Sequence, residues 1–393
     1  MIEPAEVADR LSDIEPRAAA DPGSMVVVHA PGRVNLIGEH TDYNEGFVLP
    51  IAIDRGITVA FVPTGDRRVT LTLAETGETA SFQLDDIGPR RGHWSDYVAG
   101  TAWAMAEAAL GTHGFRGVLG SDLPQGAGLS SSAALELASA LALSGGTAPT
   151  SNLMPLARIA QRAENGYVGV QSGLMDPFAS AHGQSAAALL LDCRSLEYRP
   201  VSLGLDDVAF VVADSGSPRR LDGTAYNERR AQCGAAVAAI ARTYTGVRSL
   251  RDVTPAMLED CAGGLEPALV RRAKHVVEED ARVLEAAAVL EARQHARVGE
   301  LFLESHTSLR DLYEVSSPEL DALVDTAMGV DGVFGARLTG AGFGGCTVNL
   351  VRREAIDRLS EAISTDYAPQ TGLVPRVFEV MPSAGARRLH GWH

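Results

Sequence analysis

The chain has 393 residues, 46% of them hydrophobic, which is enough for a sizeable core and more than one compact unit holds, so two domains are expected. A formal charge of −16 speaks against the basic stripe that a nucleic-acid surface needs, while leaving room for an anionic substrate held by a local arginine. No uncharged apolar stretch is long enough to cross a bilayer, and the acidic N-terminus lacks the features of a signal peptide; a cytoplasmic protein with neither membrane nor nucleic-acid partners is expected.

In chain order, 24–33 (SMVVVHAPGR) predicts a buried strand that ends at a Pro-Gly turn. Residues 46–64 and 68–75 read as strands of the same sheet. The helical spacing of 94–110 takes Ser95 as its N-cap. A short strand then leads to a Gly-rich loop, a helix over 133–145 and a second helix over 156–170. Strands follow at 187–196 and 208–216, with a domain boundary near residue 200, which divides the chain into 1–200 and 201–393. The second half alternates long helices with short strands, and 333–351 reads as strand, glycine turn, strand. The stretch 142–152 is the least structured. The pattern is α+β with mixed sheets.

Cys193, Cys233, Cys261 and Cys346 are scattered without metal-ligand spacing, so reduced thiols are expected. Lys274 is the sole lysine, so the phosphate loop G-x-x-x-x-G-K-[ST] cannot occur. The loop at 123–137 (LPQGAGLSSSAALEL) nevertheless reads as a phosphate cradle. Gly126 and Gly128 let backbone N–H groups approach a ligand, the serines supply hydroxyls, and a helix N-terminus follows. A second glycine loop, 340–345, would face the first across an interdomain cleft.

Polar residues are densest in 30–50, where Arg33, Asn35, Glu39, His40, Asp42 and Tyr43 crowd together. Arg33 suits a phosphate or carboxylate. Glu39, His40 and Asp42 offer fixed partners for a polyhydroxylated ligand, and their spacing does not match a zinc motif. Asp176, followed by Pro177, reads locally as a helix N-cap with proline at the first position; only alongside the other loops does it become a candidate base.

The stretches 30–50, 123–137 and 338–346 resemble the three signature motifs of the GHMP kinases, and the first is similar to the galactokinase signature. The resemblance runs from about residue 25 to the C-terminus, with motif order and spacing intact. It implies an N-terminal domain like ribosomal protein S5 domain 2 and a C-terminal ferredoxin-like domain, with the active site in the cleft between them. By motif position it implies Arg33 and Asp176 as the catalytic pair, and Glu39, His40, Asp42, Gly173 and Tyr226 as galactose contacts. Gly126, Ala127, Gly128, Leu129, Ser130, Ser131 and Ser132 match the ATP phosphate loop, and Trp94 and Tyr97 sit where the family often has adenine-pocket aromatics. Ser132 and Glu164 match the Mg²⁺ ligands. Pro177 departs from the family's usual glutamine.

The implied reaction moves the ATP γ-phosphoryl group to the 1-hydroxyl of galactose, with Asp176 accepting the proton and Arg33 neutralising charge. A monomer is expected. The alternatives are an N-acetylgalactosamine kinase, which differs in the room it leaves around C2, and a catalytically silent galactose sensor.

Overall fold

A computed structural model describes residues 2–124, 126–146, 152–217 and 224–390. Its largest sheet runs, edge to edge, Arg387–Arg388, Val26–Asn35, Pro50–Pro63, Phe115–Ser121, Arg68–Leu73 and Thr79–Gln83. Neighbours are antiparallel except Arg68–Leu73, which lies parallel to Phe115–Ser121. An antiparallel sheet of Val333–Thr339, Cys346–Arg352, Val208–Asp214 and Arg376–Val380 is built from the second half of the chain. A smaller sheet joins Phe47–Val48, Ala187–Asp192 and Tyr198–Ser202. One mixed sheet and two antiparallel ones, rather than mixed sheets throughout, give the α+β class with their packed helices.

The helix Ser131–Leu143 is the pivot of the first half. Every side chain from Ala133 to Leu143 is buried, Glu136 and Ser139 included, as expected of a helix whose other residues there are apolar. It packs on the strands Val26–Asn35 and Pro50–Pro63 and on the helices Ser95–Glu107 and Met154–Ala163. Core packing on all sides makes its N-terminus a rigid platform.

Three local expectations are corrected. The strand expected to stop at Pro31-Gly32 continues to Asn35 through a bulge, pairing Pro31 with Gly56 and Arg33 with Ala52. Gly32 permits this, because a Cβ there would stand 2.6 Å from Leu123 Cδ2 and 2.7 Å from the Leu129 carbonyl oxygen. Bulges re-aim side chains, and this one turns the chain at Arg33. Ser95 is not the helix cap: the N-cap residue is Trp94, and the Ser95 hydroxyl lies 2.8 Å from His93 Nδ1. Asp96 organises that turn instead, its Oδ2 accepting from the N–H groups of Arg91, Gly92 and His93 at 3.0, 2.7 and 3.0 Å. The run 46–64 divides at Leu49, with Phe47–Val48 in the small sheet and Pro50–Pro63 in the large one.

The strand Tyr198–Ser202 lies outside the expected strands, since its exposed, proline-bearing sequence carries only an edge-strand signal. Of the stretch 142–152, Leu143 ends a helix and Gly145 and Gly146 follow with positive φ; 147–151 lie outside the described residues. Near the C-terminus the chain returns to the first sheet. There the Ala386 N–H donates to Ser180 O at 2.8 Å, and Arg387–Arg388 pairs with Val28 and His29.

Candidate active site

The bulge delivers Arg33 to the mouth of the buried helix. Its Nε donates to Asp176 Oδ1 and its Nη2 to Asp176 Oδ2, both at 2.7 Å, a bidentate pair with Arg33 only 2% exposed. The same arginine holds the glycine loop: Nη1 donates to Gly128 O at 2.7 Å and the backbone N–H to Leu129 O at 3.1 Å. Asp176 lies inside the first turn of the helix Met175–His182, whose N-cap residue is Leu174, so the local N-cap reading is overturned. Pro177 falls in that first turn as well, where N–H groups have no intrahelical acceptor, so the ring removes no helical hydrogen bond.

The glycine loop opens onto the helix through Ser130, whose side chain does not cap it. The first-turn N–H groups therefore stay available beside the cleft, where a phosphate would meet both donors and helix dipole. The turn of 340–345 closes over this loop: a Cβ on Gly345 would stand 3.1 Å from Ala127 O, and one on Gly340 3.1 Å from Gly128 O.

Glu164 enters from the helix Met154–Ala163, which runs on into a π-turn over Glu164–Val168. Such turns recur at functional sites because they shift one residue out of helical register. Glu164 and Ser132 line the same cleft. One carboxylate and one hydroxyl beside a phosphate site suit Mg²⁺, which keeps phosphate and water oxygens as its other ligands. Among the described residues, no cluster of three or more His, Cys, Asp or Glu could hold a metal. Glu136, one turn beyond Ser132, is fully buried, and neither of its carboxylate oxygens has a hydrogen-bond partner among the described residues. Burial, then the charges of Glu164 and Asp176, push its carboxyl well above the usual range.

At the other end of the cleft, Asp42 accepts from the Tyr43 N–H at 2.9 Å. Burial, reinforced by the charge of Asp176, raises its pKa to about 6. Gly173 makes room for it, since a Cβ there would fall 1.6 Å from Asp42 Oδ2. Glu39 is tied to the second half of the chain: its carboxylate accepts from Arg337 Nη2 and from the Gly340 N–H at 3.0 Å. Desolvation is the largest influence on Glu39 and raises its pKa despite Arg337. His40 Nε2 lies 3.2 Å from Ala341 O, an oxygen that can only accept, so Nε2 carries a proton; Nδ1 lies 2.8 Å from Tyr43 OH. Tyr43 OH in turn lies 2.8 Å from Tyr313 OH, which is 3.0 Å from Cys233 Sγ.

A cleft of about 290 Å³ gathers Arg33, Glu39, His40, Asp42, Tyr97, Gly126, Gly128, Ser130, Ser131, Ser132, Glu164, Gly173, Asp176 and Tyr226. Ala127 and Leu129, buried residues of the glycine loop, do not line the cleft. Trp94 also stands outside the lining, its indole N–H donating to Glu78 Oε1 at 3.1 Å. Sequence reasoning missed Val170, Ser172, Met175, Gly340 and Ala341 as lining residues, although the last two belong to a glycine turn it had singled out. It also missed Arg337 and Glu136, which carry no local signal beyond their helix or strand.

Residues 18–63 match the galactokinase galactose-binding signature, 96–184 the GHMP kinases N-terminal domain and 286–369 the GHMP kinases C-terminal domain. A galactokinase from Roseiflexus sp. (strain RS-1) is 46% identical over 366 residues, 93% of each chain. The chain belongs to the galactokinase family. Another galactokinase, from Chloroflexus aggregans, is 44% identical over 88% of this chain and 89% of its own. The crystal structure of Lactococcus lactis galactokinase complexed with galactose matches with a TM-score of 0.90 at 34% identity, covering 98% of this chain and all of that one. Methanococcus jannaschii mevalonate kinase, 20% identical with a TM-score of 0.66, shares the fold alone. The chain thus carries galactokinase activity on the two-domain GHMP kinase fold.

Proposed function

We propose that the cleft transfers the γ-phosphoryl group of ATP to the anomeric 1-hydroxyl of α-D-galactose, with Asp176 as proton acceptor. The observation that carries this is the bidentate Arg33–Asp176 pair, set between the uncapped helix N-terminus and the Glu39–Asp42 loop. As O1 bonds to the γ-phosphorus, its proton passes to Asp176, the bond to the β,γ-bridging oxygen breaks and ADP leaves. A loose transition state asks more of positioning than of base strength. Arg33 orients the carboxylate and offsets charge on the transferring group.

The loop from Gly126 to Ser132 receives phosphates through backbone N–H groups, and Tyr97 borders the nucleotide end. His40, Asp42, Gly173 and Tyr226 form the sugar end, with Glu39 behind them. Ser132 and Glu164 would hold Mg²⁺, which when bound offsets charge on the β- and γ-oxygens. We place the lobe boundary near residue 200, with the last strand added to the first lobe, and the protein in the cytoplasm as a monomer; reduced thiols at Cys193, Cys233 and Cys261 support that compartment. Among the described residues no helix is long and apolar enough to cross a membrane.

The test is a monosaccharide panel with ATP, read as ADP release, for the native chain and Asp176→Asn. ADP release with galactose that collapses in the variant supports the reading. Near-native turnover in the variant sinks the proton-acceptor role. A signal with N-acetylgalactosamine but not galactose, or with no sugar, sinks the substrate.

A further inference from the structure

Ser130 has an unusual backbone for its place. A serine at a helix N-cap normally adopts extended dihedrals and turns its oxygen onto the first-turn N–H groups. Ser130 instead sits in the left-handed region, at φ 60° and ψ 43°, with no side-chain capping bond. For a residue with a Cβ that conformation costs about 1–2 kcal/mol, and glycine would adopt it freely. The hydroxyl serves another residue, lying 2.5 Å from Asp176 Oδ2. Ser130 is 5% exposed, so little water competes for that bond.

The bond closes a ring. Arg33 grips both oxygens of Asp176 and also the carbonyls of Gly128 and Leu129, while Ser130, the next residue of the same loop, reaches back to Asp176. A carboxylate offers about four acceptor sites, and Arg33 Nε, Arg33 Nη2 and Ser130 Oγ occupy three. The Asp176 side chain keeps 26% of its surface open and lines the cleft, which leaves the remaining site for a ligand there. A hydroxyl has one hydrogen, so while it is donated to Asp176 it is not available to a phosphate oxygen.

We propose that Ser130 is a positioning residue for Asp176: its hydroxyl fixes the rotation of the carboxylate so that one lone pair meets the sugar hydroxyl, and the loop binds phosphate here through its backbone. The inference rests on Asp176 as proton acceptor. It separates Ser130 from Ser131, which the phosphate-loop motif treats alike.

The experiment compares Ser130→Gly, Ser130→Ala, Asp176→Asn and the Ser130→Gly/Asp176→Asn double variant. Glycine relieves the left-handed strain while removing the hydroxyl, so Tm should hold or rise as kcat falls about 10- to 100-fold. KM for ATP and for galactose should stay within about twofold. Ser130→Ala should lose kcat to the same degree at a lower Tm than the glycine variant, and it carries the test should the glycine variant fail to fold. The double variant should be no slower than Asp176→Asn, because Ser130 acts through the residue already altered.

Native kcat in a folded Ser130→Gly or Ser130→Ala, a raised KM for ATP with kcat intact, or losses that multiply in the double variant would each overturn the assignment. Near-native kcat in Asp176→Asn would remove the proton-acceptor reading and this one with it. An inactive Asp176→Asn beside a fully active Ser130→Gly overturns the role of Ser130 alone.

Discussion

Arg337 and Glu39, 298 positions apart in sequence, pair side chains that are 0% and 1% exposed. Arg337 Nη1 also donates to Leu36 O at 2.9 Å, and the Gly340 N–H donates to Glu39 Oε1 at 3.0 Å. The sugar-facing loop and the glycine turn are thereby joined by charge-assisted bonds out of reach of water. Removing Arg337 leaves Glu39 a buried carboxylate without its cation, whereas Arg337 also has Glu279 at 3.8 Å. Arg337→Met should therefore lose about 3–5 kcal/mol of stability in urea unfolding, with part of it restored in Arg337→Met/Glu39→Leu. A loss under about 1 kcal/mol would contradict the pairing.

Gly173→Ala should raise KM for galactose at least about tenfold while leaving KM for ATP near native. Its added methyl would collide with Asp42 Oδ2, and either the carboxylate or the 170–173 backbone must move. An unchanged galactose KM would show that Asp42 relocates freely and that its position is not needed.

Glu164→Gln should raise the Mg²⁺ concentration needed for half-maximal rate by about 10- to 100-fold, with Ser132→Ala having the smaller effect. Mn²⁺ binding to the ATP complex, followed by electron paramagnetic resonance, checks the same point without turnover. Equal metal affinity in all three proteins would remove both residues from the ligand set.

Asp42 and Asp280 have raised pKa values, about 6 and about 7, burial being the largest cause in each. An acid that holds its proton more tightly when folded favours the folded state below its unfolded pKa, and this contribution is lost as pH rises through the folded value. Stability should therefore fall between about pH 4 and pH 7, and Asp280→Asn should flatten that fall in a Tm series. Galactose KM should rise below about pH 6, where Asp42 becomes protonated and loses acceptor capacity. A pH-independent galactose KM in that range would count against Asp42 as a contact.

Glu136→Leu should hold or raise stability by about 1–3 kcal/mol at pH 7, because the native carboxyl is buried with neither oxygen bonded among the described residues. Calorimetry decides it, and a clear loss would show that the carboxyl has a partner worth more than its burial.

Local chemistry made part of the site legible. Gly126, Gly128 and the three serines before an apolar helix announce a loop onto a helix N-terminus, because glycine dihedrals and helix propensity act within a few residues. Pro31-Gly32 misled for the same reason: it is a turn signal locally, but pairing with the strand Pro50–Pro63 and packing against Leu129 make it a bulge. Ser95 misled because capping propensity does not foresee that Asp96 will gather the three N–H groups upstream.

By itself the sequence determined the α+β class, the order of the glycine and polar loops, the absence of a lysine-based phosphate loop and, through its motifs, the family. Those properties are set by residue type and short spacing, which survive without knowledge of the fold. The motifs implied Arg33 with Asp176, but only the tertiary structure decided the other partners: Ser130 on Asp176, Arg337 on Glu39, Tyr43 on His40 and, among the described residues, none for Glu136. Apart from the Tyr43–His40 contact, the bonded pairs join positions tens to hundreds of residues apart, with no period linking them. Burial then gives each contact its strength, by removing the water that would otherwise compete for the same donors and acceptors.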